Sequence, residues 1–353
     1  MNIKSFFLGS AAALVAVTGA RAADAVVIAE PEPVEYVRVC DAYGAGFFYL
    51  PGTETCLKIS GYVRYDAQGG DDVYNGGELD TWVKHTRAEV RFDARSETEL
   101  GTLRSYIQSR FDYEDGLDEG ASIPQAFIEL GGFRVGVADE IFGAWDGYAG
   151  DIIQDDVINY NSWESNQISY TFQGGNGFSA IIAAEQGSVH DGYDDYVIDN
   201  YMPHVMAGLK LEQGWGKISG IVGYDSNVEE FAAKARLDVN VTDKVMLWAM
   251  GAYQSGYDDT RVERNFLTPW QGDWAAWGGI AAKVTDKATI NGQAAYESEG
   301  TYALALNVAY ELVPGFMITP EINYTKFEDF RRSDGTLVND DAFGGIIRFQ
   351  RNF

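Results

Sequence analysis

From Leu57 onward, hydrophobic and polar positions alternate with a period of two. In LKISGYVRYDA one face carries Leu57, Ile59, Gly61, Val63 and Tyr65, and the other Lys58, Ser60, Tyr62 and Arg64. WVKHTRAEVRFDAR sets His85, Arg87, Glu89, Arg91, Asp93 and Arg95 against Thr86, Ala88, Val90, Phe92 and Ala94. GTLRSYIQSRFDYE repeats this, with Arg104, Gln108, Arg110 and Asp112 opposite Leu103, Ile107, Phe111 and Tyr113. Successive side chains of a strand point to opposite faces, so the pattern predicts strands with one apolar and one polar side. About sixteen such segments follow, starting near Leu57, Thr81, Gly101, Ala121, Phe133, Asn166, Gly177, Tyr201, Trp215, Glu229, Asp243, Trp270, Lys287, Thr301, Gly315 and Asp341. Each has about the length that a tilted membrane strand requires.

A soluble sandwich also alternates, and the connections decide between the two. One series is tight: SETELG, GG, GGN, EQGWG, VTD, VTDK and LVPG. The other holds nearly all the long acidic stretches: QGGDDVYNGGELD, residues 139–165, SVHDGYDDYVIDN, SGYDDTRVERNFLTP and FRRSDGTLVND. Short turns on one rim, long loops on the other and an even strand number are the plan of a transmembrane β-barrel. The fold expected is therefore all-β, an antiparallel barrel of about 16 strands. On the face assigned outward, aromatic residues such as Tyr65, Phe92, Phe111, Trp215, Tyr253, Trp274 and Tyr302 fall near strand ends, as interfacial girdles do. The alternation fails around Met246, Trp248 and Met250, where both faces are apolar.

Residues 139–165, DEIFGAWDGYAGDIIQDDVINYNSWES, have no period and are too long for an idle connection. They carry Asp139, Glu140, Asp146, Asp151, Asp155, Asp156 and Glu164 and no Lys or Arg. Two readings stand: an acidic surface loop, or a segment folded into the bore that narrows it. Inward parity places Arg64, Arg87, Arg91 and Arg110 on the first three strands and Arg348 on the last. Barrel closure would join these into one basic wall. Facing the infolded segment, that wall would set up a transverse field, with Glu140, Asp146, Asp151, Asp155, Asp156 and Glu164 as the acidic side. Each arginine has a competing role as partner to a neighbouring carboxylate such as Glu89, Asp93 or Asp112.

The N-terminus adds an address. Lys4, the apolar run Ser5 to Val17 and Ala20-Arg21-Ala22 read as a cleaved export signal over residues 1–22. Residues 23–56 read as an extension with a cysteine-bracketed hairpin, and 57–353 as the barrel. Export makes a disulfide the natural reading of Cys40 and Cys56, and with no adjacent histidine a metal site is not expected. The net charge of −27 argues against a nucleic-acid partner. Whole-chain acidity favours cations while the arginine wall favours anions, so the sign of selectivity stays open. No cofactor and no catalysis are expected: His85, His190 and His204 are scattered, and no serine stands in a G-x-S-x-G context. The acidic pairs Asp71-Asp72, Asp258-Asp259 and Asp340-Asp341 could bridge divalent cations to lipopolysaccharide.

CDAYGAGFFYLPGTETCLKISGYVRYD at 40–66 resembles the start of the mature domain in alphaproteobacterial, Rhizobiales-type general porins. The export signal, the LPG turn between paired cysteines, the acidic segment after five strands and the final Phe353 are similar too. The resemblance implies a sixteen-stranded outer-membrane barrel, assembled as a homotrimer, that passes small hydrophilic solutes and ions by diffusion. It implies that 139–165 is the third external loop, folded into the pore, and that the barrel-assembly machinery reads Phe353. A surface adhesin or receptor barrel without significant pore activity is the alternative.

Overall fold

The computed structural model describes residues 38–189, 196–258, 264–328 and 341–353. The expected export signal lies outside the described residues. A two-residue strand, β1 (Phe48–Tyr49), precedes sixteen long ones. These are β2 (Cys56–Gly70), β3 (Val83–Thr98), β4 (Gly101–Glu114), β5 (Leu117–Leu130), β6 (Phe133–Asp139), β7 (Glu164–Gly174), β8 (Phe178–Glu185) and β9 (His204–Gln213) in the first half. The second half holds β10 (Gly216–Asp225), β11 (Glu230–Thr242), β12 (Val245–Gln254), β13 (Trp274–Lys283), β14 (Ala288–Glu297), β15 (Tyr302–Val313), β16 (Phe316–Lys326) and β17 (Asp341–Asn352). Each pairs antiparallel with the next, and β17 pairs with β2, from Gly344 opposite Gly70 to Asn352 opposite Tyr62. The barrel is closed. Closure leaves no sheet edge within the bilayer, where an unpaired N–H or C=O has no water to turn to.

The expected strands are all present. Two boundaries move most: β5 starts at Leu117 rather than near Ala121, and β13 at Trp274 rather than near Trp270. Both shifts lengthen or shorten a strand at the long-loop rim, where pairing is not forced by the bilayer.

Burial follows the period of two. On β12, Leu247, Ala249, Gly251 and Tyr253 face out, while Trp248, Met250, Ala252 and Gln254 face in and are buried. Tyr65, Phe92, Phe111, Trp215, Tyr253, Trp274 and Tyr302 all lie exposed on the outer face. Tight turns close the short-turn rim. At Gly131-Gly132 (φ 57° and 97°) a Cβ would lie 2.4 Å from the Leu100 carbonyl or 2.5 Å from that of Thr171, so the pair reads as a glycine turn by necessity.

Where β17 ends, β2 continues toward the short-turn rim. There β1 takes over its free edge, with Phe48 opposite Leu57 and Tyr49 opposite Cys56. A disulfide joins Cys40 to Cys56, as expected. Cys40, Phe47 and Cys56 form a small buried core beside Tyr43 and Tyr49.

Candidate functional site

The chain leaves the wall at Asp139, turns through a short helix (α1, Ile141–Ala144) and rejoins the wall at Glu164. In between, it runs inside the barrel. Ile141, Phe142, Trp145, Ala149, Ile158 and Tyr160 pack on inward side chains that include Met206, Ile221, Trp248, Met250 and Trp277. This accounts for the doubly apolar stretch near Met246: its outer face meets lipid, and its inner face seats the loop. Each large apolar side chain buried here contributes roughly 2 kcal/mol.

Polar groups of the wall pin the loop backbone. Trp277 Nε1 donates to the Ile158 carbonyl at 2.8 Å, Lys234 Nζ to Tyr160 at 2.9 Å and Lys217 Nζ to Asp146 at 2.8 Å. Farther round, Glu321 accepts the N–H groups of Ile153 (2.6 Å) and Gln154 (2.9 Å), and Asn307 Nδ2 donates to the Asp151 carbonyl at 2.6 Å. Trp145 Nε1 reaches the Leu209 carbonyl at 3.1 Å by lying against Gly208, where a Cβ would come within 2.7 Å of the indole nitrogen. Glu185 of β8 accepts the Ile141 N–H at 2.8 Å, so the loop is tacked across β8 to β16, and the arc from β17 through β2 to β5 stays uncovered.

Other loops hold it from above. Phe266, Leu267 and Trp270, between β12 and β13, are buried against it, although this stretch reads as an acidic rim loop in the sequence. The Ser162 hydroxyl donates to the Phe266 carbonyl, and Phe266 N–H donates to Asp225 Oδ2 at 2.6 Å. His204 stacks on Phe266 with ring centroids 5.2 Å apart. From the first long loop, Tyr74 donates its hydroxyl to Asp156 Oδ1 at 2.7 Å. Asp71 and Asp72 serve turns: Asp71 Oδ2 accepts Phe343 N–H at 2.8 Å and Asp72 Oδ1 accepts Tyr74 N–H at 3.0 Å.

The acidic residues divide. Glu140 and Asp146, expected on the bore, are instead buried at 1% and 0% exposure between loop and wall. Glu140 precedes α1 and accepts Ser162 N–H at 3.0 Å, and Asp146 lies beneath the loop near Lys210, Lys217 and Lys234. Burial pushes both carboxyls up, against the pull of the Lys234 ammonium. Asp151 and Asp156 are exposed. Asp155 is half-buried, accepts the Tyr160 hydroxyl and is pushed up to about 7 by burial and by Asp156. Glu164 is half-buried, 3.7 Å from Arg110 Nη1.

All five expected arginines lie on the uncovered arc, and each has a carboxylate of that same arc beside it. Arg87 Nε donates to Asp112 at 2.5 Å, Arg91 Nε to Glu89 at 2.6 Å and Arg110 Nε to the same Glu89 at 2.8 Å. Arg348 forks onto Asp66 with two bonds of 2.8 Å, and Arg64 Nε stands 3.7 Å from Asp66. His85 also reaches Asp112, at 2.6 Å. The wall is a charge-paired ladder, not a bare basic surface. Sequence reading put Arg95 and Arg104 on the polar face without assigning them to the site, and the same parity could have supplied Arg134.

A closed barrel with a lipid-facing apolar outside, a polar inside and a loop narrowing the lumen defines an outer-membrane channel of the porin class. Residues 24–345 match the family described as the porin subfamily, and the chain belongs to that family. It is 53% identical to porin Omp2b of Brucella suis biovar 1 over the full length of both chains, and 52% identical to porin Omp2a of Brucella melitensis biotype 1, again over both full lengths. In fold it is similar to the outer membrane channel DcaP of Acinetobacter baumannii, with a TM-score of 0.67 at 15% identity over 86% of this chain and 99% of that one. A triple mutant of Rhodopseudomonas blastica porin gives a TM-score of 0.58 at 12% identity over 84% of this chain and 100% of the other. The protein is a multi-pass β-barrel porin of the outer membrane, and its family makes it a channel protein.

Proposed function

We propose that the channel passes small hydrophilic solutes and ions by passive diffusion, through a gap between the arginine ladder and the tip of the infolded loop. The observation that carries this reading is the seating of the loop on β8 to β16, opposite an arc left free. Its acidic side is Asp151 and Asp156, with Asp155 and Glu164 adjoining; its basic side is Arg64, Arg87, Arg91, Arg110 and Arg348. Facing rows of unlike charge in a narrow, low-dielectric passage orient solute dipoles and set which ions enter. Because every arginine shares a carboxylate, the field is weaker than five free charges would give, and the more open arginines dominate it. Arg91 is the most open of them, with 40% of its side chain exposed. The working assembly is proposed to be a homotrimer, with no catalytic activity.

Planar-bilayer recording tests this directly. The purified protein should give discrete unitary steps, closing in threes if it is trimeric. Arg87→Gln with Arg91→Gln should move the reversal potential toward cations in a salt gradient. An unmoved potential with normal steps would remove the ladder from the filter.

A further inference from the structure

Cross-strand register gathers a second set of charges at the short-turn rim, which faces the periplasm in such barrels. One row runs Cys56, Arg95, Arg104, Glu129 and Arg134 from β2 to β6. The row above it holds Lys58, Asp93, Tyr106 and Phe127. Arg95 stands four residues beyond Arg91 on β3, roughly 13 Å along the strand. That is more than the ~10 Å Debye length of 0.1 M salt, so this set acts on ions separately from the constriction.

The row is a chain of forked ion pairs. Arg95 donates twice to Asp93 (2.9 and 2.7 Å), and Arg104 joins Asp93 (3.0 and 3.0 Å) to Glu129 (2.8 Å). Arg134 Nε closes the chain on Glu129 at 2.8 Å. Two carboxylates thus serve three guanidinium groups. Lys58 adds a cation, and Glu97, a third carboxylate, accepts the Tyr43 hydroxyl at 2.8 Å. Among these seven groups one positive charge is left over, and the ends of the chain of pairs are its most open members: Arg134 and Arg95 keep 30% and 28% of their side-chain surface, against 22% for Arg104.

Aromatic faces hold these side chains in place. Arg134 lies 4.6 Å from the Phe127 centroid, and Arg104 lies 4.8 Å from that of Tyr106. Arg95 lies 5.2 Å from Phe47 and 5.7 Å from Tyr43, both within the segment that the Cys40–Cys56 disulfide closes. Stacking fixes a guanidinium without using an N–H donor, so the Arg95 and Arg134 donors not engaged by Asp93 and Glu129 stay available to an incoming oxyanion.

We propose that this row, braced by the disulfide-closed hairpin, is a second filter at the periplasmic mouth. It draws small anions bearing a carboxylate or phosphate to that end and makes the current depend on direction. Arg95 and Arg134 are the groups an anion meets; Tyr43 and Phe47 are positioning residues. The inference rests on the channel activity of the protein.

The test uses full-length protein added to one side of a planar bilayer in 0.1 M KCl, with gradients applied in either direction. In the double variant Arg95→Gln, Arg134→Gln, the chloride-to-potassium permeability ratio should fall about twofold, most when the dilute solution bathes the short-turn end. The change should vanish in 1 M salt, where the Debye length is ~3 Å. Arg95→Lys with Arg134→Lys should keep the native ratio. Phe47→Leu retains every charge and should weaken the direction dependence alone, which keeps the test decisive if the Gln variant does not fold. Normal unitary steps with an unchanged ratio in the Gln variant would overturn the proposal. So would an equal fall in the Lys variant, which would mark the arginines as structural. An unsubstituted protein that gives no steps would instead overturn the channel reading itself.

Discussion

At the scale of single residues, burial decides what a carboxylate can do in this channel. Glu140 and Asp146 are drawn under the loop, where burial favours their neutral forms and their charge does not reach the passage. Asp155 sits between that state and the open one. Burial and the neighbouring Asp156 push its carboxyl up to about 7, well above the ordinary aspartate value of ~3.9. A folded-state value raised in this way means that the folded chain holds the proton more tightly than the unfolded one. Between about pH 4 and 7, stability therefore falls as pH rises, and above 7 the ionised group is present at its full cost. The same titration changes the filter: below 7 the loop tip loses a negative charge, and above 7 it regains it. Reversal potential measured from pH 5.5 to 8.5 should move toward cations in a step centred near 7. Asp155→Asn should abolish that step while leaving unitary conductance in place. A step of the same size and midpoint in the variant would assign the titration to another group.

At the scale of elements, the infolded loop owes its shape to surfaces that are distant in sequence. Phe266 is fully buried against it, and removal of a ring of that size typically costs 3–5 kcal/mol when the cavity stays open. Phe266→Ala should therefore leave the strands and their heat-modifiable migration unchanged while raising open-channel noise and mean conductance, since the loop loses part of its seat. Noise and conductance equal to the native values would show that the third loop holds its position without the segment between β12 and β13. This element also marks where sequence reading stops. The strands were legible because the bilayer and the lumen impose a period of two on each of them. The third loop stood out by its length and missing period, the opposing arginines and the family resemblance pointed it inward, and the doubly apolar stretch around Trp248 and Met250 had no explanation until the loop was seen seated on it. NFLTPW was not legible, since six residues at the end of an acidic loop carry no period and nothing local says that Phe266 turns inward. The pairing of Arg110 and Arg91 on one Glu89 was equally hidden, because it depends on a register that only the closed sheet defines.

For the whole molecule, the seam is where closure has to be completed. β17 pairs with β2 as far as Asn352, and Phe353 then exchanges two backbone hydrogen bonds of 3.0 Å with Gly61. Below that point β1 covers the edge of β2. Gly61 is needed in its place, because a Cβ there would fall 2.0 Å from the Glu89 carbonyl oxygen. Phe353 is 57% exposed, on the outer side, so the backbone of this residue closes the barrel while its side chain is left uncovered. The two roles separate experimentally. Phe353→Ala keeps both backbone bonds, and the purified variant should refold into detergent with native yield and native heat-modifiability. If the barrel-assembly machinery reads the ring, the same substitution should lower the amount of assembled protein in outer membranes several-fold. A loss in both settings would make the ring a structural part of the seam, and a loss in neither would remove Phe353 from the assembly signal.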